Sequence, residues 1–377
     1  MKKGIILAIL LFACQILPAN AQISANHWAY NDATKAISQK WIEDTIGNFE
    51  PDKITTRAEF VCMLEKAIRL TPDSDTAKFY TQVYTPEIIV QPFNDTRTHW
   101  LETGGWLKTA LDFGLVIPAD YDNKLFKPDE AISRRESIVM VIRALGRVYP
   151  ASQYEPGRPL FTDWDSIPNW AKGYTNEMVN FKLLLGFPEG NAQVDKPLTK
   201  AQAVAFLNRA MNEMTQGVDS AIKVTIDNVY PKENALYQKQ QLTLPVPAQI
   251  VNQKIYVPIR ALYDNGGKLY GPAYGTGKRY YWHAKAQILW FEYGVSHQFQ
   301  PGNSYMGFHG NVLPFTGKLR DEGNLLASEV RMLYGELMVP VIDNGQSAQL
   351  RSTGMKTWDA NTKTVLIPMM VPQAPTS

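Results

Sequence analysis

The stretch "TTRAEF" at Thr55–Phe60 decides the fold, because its pattern returns as "SRRE" at Ser133–Glu136 and "TKAQ" at Thr199–Gln202. Each copy has a hydroxyl residue followed at the third position by Glu or Gln, which is typical of a capping box at a helix N-terminus. Apolar residues then recur with a period near 3.6, which predicts an amphipathic helix. They are Phe60, Leu64, Ala67 and Ile68; Ile138, Val141, Ile142 and Leu145; and Ala203, Phe206, Leu207 and Ala210.

A Trp-led segment precedes each cap. The three segments are "HWAYNDATKAI" (His27–Ile37), "HWLETGGWLKTAL" (His99–Leu111) and "NWAKGYTNEMVNF" (Asn169–Phe181), and each predicts a further amphipathic helix. One helix–loop–helix unit cannot bury its own apolar stripe, so the three copies are expected to pack into one body. The stretch between copies one and two, Thr71–Pro92, is interpreted as an insertion.

Arg57 raises a question of charge. It stands in the first helical turn, where the helix dipole disfavours a cation by about 0.3–1 kcal/mol. Arg134 and Lys200 occupy the same slot in the other copies. We interpret the three cations as receivers of an anionic ligand at a helix N-terminus with free N–H groups. On this hypothesis the ligand-free protein loses no stability without Arg57; the alternative is that the cations are solvated surface residues.

These residues resemble the S-layer homology (SLH) domain in three copies over residues 24–214. The resemblance implies a pseudo-threefold body that anchors exported bacterial proteins to the cell wall. It also implies a ligand, a secondary cell-wall polysaccharide that typically carries a pyruvate ketal, and neighbouring surface-layer proteins as further partners. No cofactor, metal site or catalytic residue follows from it.

The resemblance assigns ligand-binding residues position by position. Lys200 keeps the charge of the family arginine but loses its planar fork, so the third copy is expected to bind more weakly. The Trp residues have core anchoring as an equally plausible alternative, and the first copy lacks the leading Asp. The assigned residues are Arg57, Arg134, Lys200, Trp28, Trp100, Trp170, Asp95, Asp163, Gly186 and Gly190.

The N-terminus predicts export. "MKKGIILAILLFACQILPANAQ" has two lysines, an apolar run and a small-x-small cleavage signal, which indicate a signal peptide over residues 1–21. A lipoprotein signal ending at Cys14 is the alternative. Removing Lys2 and Lys3 from 38 basic residues leaves 36 against 36 acidic ones, a balance that gives no support to nucleic-acid or anionic-membrane binding. Cys62 then stands alone and is expected to be a small core residue.

The second half changes to β-type alternation, with "IKVTIDNV", "QKIYVPIRAL", "YYWHAKAQILWF" and "GELMVPVIDNG" as the strongest stretches. "IYVPIRAL" followed by a W-x-A phrase resembles the copper amine oxidase N-terminal-like, or stalk, domain over residues 222–371, which implies a non-catalytic α+β module. His283, His297 and His309 have no metal-ligand spacing. A cluster of aromatic residues at 270–293 suggests glycan stacking, with cross-strand core pairs as the more ordinary explanation.

The sequence thus predicts a multidomain chain. A mainly α pseudo-threefold trimer of helix–loop–helix repeats is followed by an α+β domain with antiparallel strands. The predicted parts are a signal peptide (1–21), repeat 1 (22–70), an insertion (71–92), repeat 2 (93–147), a linker (148–160), repeat 3 (161–214) and the stalk domain (222–371). The expected function is non-catalytic wall anchoring with the last domain displayed outward. An exported glycan hydrolase with its active site in 222–371 and a structural S-layer subunit are the alternatives.

Overall fold

The computed structural model describes residues 23–82, 93–214, 221–228, 240–264, 279–293, 295–301, 307–309, 330–343, 346–347 and 356–369. Helices dominate up to Met214 and strands dominate beyond it. The helices are α1 (Tyr30–Ser38), α2 (Arg57–Ala67), α3 (Asp75–Gln82), α4 (Trp100–Thr103), α5 (Trp106–Phe113), α6 (Arg134–Ala144), α7 (Val148–Ser152), α8 (Asn169–Asn180), α9 (Lys200–Met214) and α10 (Ile259–Asp264). The predicted signal peptide lies outside the described residues.

The three caps form as their sequences predict. The Thr56 hydroxyl accepts from the Glu59 N–H at 3.1 Å, and the Glu59 carboxylate accepts from the Thr56 N–H at 2.8 Å. Ser133 and Glu136 make the same reciprocal pair before α6. At α9 the Gln202 side chain replaces the carboxylate and accepts from the Thr199 N–H at 3.2 Å. Each long helix therefore begins at the cation of its copy.

The Trp-led segments form helices at α1 and α8, but the middle segment is broken. There, α4 ends at Gly104, and Gly105 adopts a left-handed conformation with φ of +78° before α5 begins. The prediction of one continuous helix over His99–Leu111 is wrong at this point, because two consecutive glycines favour a turn over helix continuation.

A closed cycle of backbone hydrogen bonds joins the segments just before the three caps. The Thr55 N–H donates to the Leu198 carbonyl at 2.9 Å, the Leu198 N–H to the Ile132 carbonyl at 3.0 Å, and the Ile132 N–H to the Thr55 carbonyl at 3.0 Å. Each segment is thus a donor to one neighbour and an acceptor from the other. The three copies are joined head to tail in a ring.

The helices also interlock between copies. α2, α6 and α9 contact one another, and each packs against a Trp-led helix of the next copy in the ring: α5 on α2, α8 on α6 and α1 on α9. Because each apolar stripe is covered by another copy, no copy can bury its core alone. The central core includes Phe60, Leu64, Ile138, Val141, Ile142, Phe206 and Leu207, all nearly inaccessible to solvent.

The described strands of the second half are β1 (Lys223–Asn228), β2 (Gln240–Gln241), β3 (Gln249–Val251), β4 (Lys254–Pro258), β5 (Arg279–His283), β6 (Ile288–Tyr293), β7 (Val295–Phe299), β8 (Gly307–His309), β9 (Arg331–Leu333), β10 (Glu336–Asp343), β11 (Gln346–Ser347), β12 (Thr357–Asp359) and β13 (Thr364–Met369). These described strands form three sheets. The first has the order β12-β13-β1-β2, the second β11-β10-β4-β3 with β9 also paired to β10, and the third β5-β6-β7-β8.

The pairing is antiparallel, as predicted, except between β1 and β13. These two strands run parallel in the register Val224–Val365. They lie at opposite ends of the β half, so no tight turn connects them and nothing in the chain requires the antiparallel direction. The valines of this pair are both buried, which places the sheet on a core.

One turn and one strand of the β half pack onto the helical half. At the β5–β6 turn, the Ala284 carbonyl lies against Gly114, where an added Cβ would stand 2.2 Å from the Ala284 oxygen. In β9, Met332 lies against Gly146, where an added Cβ would stand 2.5 Å from the Met332 Cβ. Both glycines also have positive φ. They follow the C-terminal ends of α5 and α6, so the β half lies against that end of the helices.

Helix α3 shows what the insertion contributes. The Glu336 carboxylate, 1% exposed, pairs with the Arg260 guanidinium and accepts from the Thr76 hydroxyl at 2.7 Å. Arg260 also stacks over the Phe79 ring at 4.9 Å. Trp282 is fully buried and donates to the Asp112 carbonyl at 2.7 Å. The structure therefore adds a packed interface to the expected picture of a displayed module.

The first prediction concerns the buried Arg260–Glu336 pair. Glu336→Gln should lower the free energy of unfolding by about 3–5 kcal/mol, because it leaves the Arg260 charge buried without its counterion. Chemical unfolding of the full chain measures this. As a control, the double variant Arg260→Met with Glu336→Leu should recover most of the loss, since it removes both charges together. Equal losses in the single and double variants would contradict an electrostatic cause.

The second prediction concerns Glu65 in α2, a fully buried carboxyl whose two oxygens have no hydrogen-bond partner in the described part of the chain. Burial raises its pKa well above the ordinary value. The folded protein therefore keeps Glu65 neutral at pH values where the unfolded chain ionises it, so wild-type stability falls as the pH rises above about 4.5.

The variant Glu65→Gln should melt a few degrees higher than the wild type at pH 7, and the difference should vanish near pH 4. Melting curves at the two pH values measure this, with Glu50→Gln at an exposed position as the matched control. A constant difference between wild type and Glu65→Gln at both pH values would show that Glu65 is ionised in the folded protein.

Candidate functional site

The three cations lie at one end of the helical body, beside the ring of backbone hydrogen bonds. The first two backbone N–H groups of each long helix are already bonded to a neighbouring copy. Those of Arg57 and Ala58 donate to the carbonyls of Glu130 and Pro128, both at 3.0 Å. The corresponding groups of α6 donate to Lys196 and Val194, and those of α9 to Lys53 and Pro51. The expectation of free N–H groups for an anion is therefore wrong, and only side chains remain to receive one.

Arg57 has an internal partner. Its Nε donates to the Glu136 carboxylate at 2.7 Å, and Nη1 lies 3.4 Å from the Glu130 carboxylate. Burial would lower the pKa of Arg57, but the hydrogen bond and charge of Glu136 outweigh it and raise the pKa above its ordinary value. The cation is explained without a ligand, because the capping acid of the next copy neutralises it.

Lys200 has an internal partner of another origin. Its Nζ lies 3.0 and 3.1 Å from the two Asp44 oxygens and 5.6 Å from the centre of the Phe49 ring. Both charged side chains are mostly buried. The third cation is thus neutralised by the loop of the first copy.

Arg134 has no carboxylate partner among the described residues. It is only 7% exposed, its buried Nε has no hydrogen-bond acceptor among the residues that the structure describes, and its guanidinium lies over the rings of Phe187 at 4.7 Å and Phe206 at 4.9 Å. Burial, with a smaller contribution from the charge of Arg209, lowers the pKa of Arg134 to about 10. A cation held in this way favours an incoming anion.

The three Trp residues are on the surface. Trp28, Trp100 and Trp170 are 59%, 45% and 54% exposed. Core anchoring, the alternative to ligand contact, is therefore excluded for all three. Next to Trp170, the Arg135 guanidinium lies 6.0 Å from the ring centre. Exposed aromatic faces of this kind can stack on sugar rings.

The predicted Asp and Gly residues stabilise and shape the loops. Asp95 accepts from the N–H groups of Phe126 and Lys127 at 3.0 and 2.7 Å. Asp163 accepts from those of Ala192 and Gln193, both at 2.8 Å. Gly186 and Gly190 both have φ of +76° and shape the turn that carries Phe187. The structure gives these four residues positioning roles in the loops.

Sequence reasoning missed the partners of the cations. Glu136, Asp44, Phe187, Phe206 and Arg209 were not among the predicted site residues. The sequence indicates one difference between the copies that bears on these partners: the third helical position holds Glu136 in one copy and Gln202 in the next. The other partners come from loops or later helical turns, and their approach depends on the ring. The aromatic cluster of the β half lies mostly outside the described side chains, and its Trp282 is buried against α5.

The sequence predicts a small core residue at Cys62, and the structure places it half-buried in α2. Burial is the main cause that raises the pKa of its thiol to about 11, so the reactive thiolate is disfavoured at neutral pH. Across the ranges that the structure describes, no three His, Cys, Asp or Glu side chains group as metal ligands. The described helices include none long and apolar enough to cross a membrane.

Comparison with known proteins supports the third copy directly. Residues 160–204 match the model of the S-layer homology domain. The chain is 24% identical to cell surface glycoprotein 1 of Acetivibrio thermocellus over 173 residues, 44% of this chain and 7% of that protein. It is 28% identical to the surface layer protein of Brevibacillus choshinensis over 194 residues, 49% of this chain and 14% of that protein.

A third relative is an enzyme. The exoglucanase XynX of Acetivibrio thermocellus is 24% identical over 188 residues, 48% of this chain and 15% of that protein. The chain thus spans only a small part of the length of these relatives. Together, the SLH domain and the surface-protein relatives identify a cell-surface, cell-wall-associated protein that contains an S-layer homology domain.

The third prediction separates the two arginines in the absence of any ligand. Arg57→Met should lower the free energy of unfolding by about 1–3 kcal/mol, since it removes a charge-assisted bond to Glu136. Arg134→Met should leave stability unchanged or raise it, because it relieves an unpaired buried charge and keeps the apolar stem between two rings. Urea unfolding measures both variants. Equal destabilisation by the two substitutions would contradict the assigned difference in pairing.

Proposed function

We propose that this chain anchors to the bacterial cell wall through three SLH repeats, residues 22–70, 93–147 and 161–214, arranged as a pseudo-threefold trimer. The ligand is an anionic secondary wall polysaccharide, with the carboxylate of a pyruvate ketal as the recognised group. The observation that carries the proposal is Arg134, a buried guanidinium between two aromatic rings with no carboxylate partner among the described residues.

The chemistry of this position fits a compact anion. A carboxylate brought to Arg134 gains charge-assisted hydrogen bonds of about 1.5–3 kcal/mol and relieves the cost of an unpaired buried charge. Arg209 adds a second positive charge nearby, as its effect on the pKa of Arg134 indicates. A sugar that carries the carboxylate would lie among the surrounding aromatic residues. Trp170, exposed at the start of α8, is the surface aromatic assigned to the third copy.

The position of the β half fits anchoring as well. The β half packs against the C-terminal ends of α5 and α6, whereas Arg134 stands at the N-terminal end of α6. Eleven helical residues separate the two ends of α6, or about 16 Å. The proposed wall-binding end is therefore opposite the end of α6 on which the described part of the β half is docked. We propose that residues 222–371 are the non-catalytic, stalk-like module.

A wall-active enzyme is the competing function, since one relative is an exoglucanase. It requires acidic side chains with shifted pKa values in the β half. In the β half, the buried Glu336 carboxylate pairs with Arg260 and accepts from the Thr76 hydroxyl at the interface with α3. This structural role of a buried acid favours the anchoring module.

The fourth prediction tests anchoring with purified wall sacculi. The full chain should bind sacculi and should lose binding when the non-peptidoglycan polymer has been stripped from them. Arg134→Met should weaken binding at least tenfold, which corresponds to about 1.4 kcal/mol, and added salt should weaken wild-type binding. Sedimentation of the sacculi with bound protein gives the isotherms.

Arg158→Met is the matched control, because Arg158 is an exposed arginine of the loop before repeat 3. It should bind as the wild type does. Equal binding to intact and stripped sacculi would contradict polymer recognition. Release of reducing sugar from intact sacculi by the purified chain would favour the enzyme instead.

A further inference from the structure

The three cation positions are equivalent in the ring but differ in charge compensation. Each cation is the first residue of a long helix, and its backbone N–H donates to the loop of the next copy: Arg57 to Glu130, Arg134 to Lys196 and Lys200 to Lys53. The positions are therefore related by the same construction. Differences between them arise from the side chains supplied by the next copy.

The capping acid of the next copy occupies the first position. Glu136 serves two purposes, since one oxygen accepts from the Ser133 N–H at 2.8 Å and the other accepts from Arg57 at 2.7 Å. An external carboxylate could reach Arg57 only by displacing Glu136 from this bond. Displacement would leave the Glu136 charge partly buried without its partner, which opposes binding.

At the second position the residue equivalent to Glu136 is Gln202. It retains the capping role, because its side chain accepts from the Thr199 N–H at 3.2 Å, but it carries no charge to offer Arg134. Phe206, one helical turn after Gln202, supplies a ring against the guanidinium instead. The third position is closed again, since Asp44 places both oxygens on Lys200.

We propose that the presence or absence of a carboxylate supplied by the following copy decides whether a cation receives the wall polymer. Gln202 keeps Arg134 open, whereas Glu136 closes Arg57, and Asp44 closes Lys200 from a loop. The chain then holds one anion at Arg134 rather than three at equivalent sites. This inference rests on the proposed anchoring function, and it replaces the expected order of the sites, in which Arg57 binds as strongly as Arg134.

The test exchanges the two capping residues in the full chain. Gln202→Glu gives Arg134 the internal partner that Arg57 has, while both residue types support a cap. It should raise the melting temperature without wall polymer and weaken binding to sacculi at least tenfold. Glu136→Gln should lower the melting temperature and, by uncovering Arg57, strengthen binding or add a second site. Glu59→Gln is the control, because Glu59 faces Lys53 at 3.8 Å rather than a first-turn cation.

The outcomes separate the inference from the function beneath it. Weak binding by Gln202→Glu together with unchanged binding by Glu59→Gln supports the inference. If the wild type binds sacculi and the Gln202→Glu variant binds them with equal affinity, the inference is overturned and the anchoring function is retained. Failure of the wild type to bind sacculi overturns both. A lower melting temperature for Gln202→Glu would show that the new carboxylate does not pair with Arg134, and it would also overturn the inference.

Discussion

The helical half depends on the closed cycle of hydrogen bonds through Thr55, Ile132 and Leu198. A linear array would leave a donor unpaired at one end and an acceptor unpaired at the other. Closure gives the backbone N–H and carbonyl groups of all three buried segments a hydrogen-bond partner. It therefore avoids the free-energy cost of leaving a backbone group unpaired away from water. The same closure brings each long helix to the loop of the next copy, where its first two N–H groups find carbonyl partners.

This arrangement changes what a helix N-terminus can do. Anion sites at such ends normally use free backbone N–H groups and the dipole. Here the first amides are bonded to carbonyls and the third to the cap, so anion recognition falls to the side chain of the first residue. A cation at this position must still be compensated, because burial penalises an unpaired charge. Arg57 and Lys200 obtain compensation from within the protein, and Arg134 does not among the described residues.

Local features of the fold could be predicted from the sequence. The capping pairs of Thr56 with Glu59 and Ser133 with Glu136 are three residues apart, and the apolar stripes follow the helical period, so both depend on neighbours in the chain. The break at Gly104–Gly105 has a local cause as well, because two consecutive glycines favour a turn although the apolar pattern continues across them. The presence of antiparallel strands followed from alternation, whereas the parallel β1–β13 pair joins residues far apart in the sequence.

The partners of the candidate site could not be predicted in the same way. Glu136 lies 79 residues from Arg57, and Asp44 lies 156 residues from Lys200. Such pairs follow only once the ring fixes which loop faces which helix. The role of α3 was hidden for the same reason. The residues of α3 form an ordinary short helix, and nothing local in their sequence indicates a partner. Their contact with Arg260 and Glu336 depends on the docking of the β half.

The capping pattern that the three copies share and the side chains in which they differ affect different features of this molecule. Repetition of the capping pattern creates the ring, and the ring requires only that backbone segments meet, so side chains beside it are free to differ. Substitution of Gln for Glu at one capping position keeps the helix start intact, since either side chain accepts from the cap N–H. It nevertheless removes the negative charge that the capping residue would offer to the arginine of the neighbouring copy. A change that is nearly neutral for folding can therefore alter the charge of one position out of three, and a fold with near symmetry can present a single site.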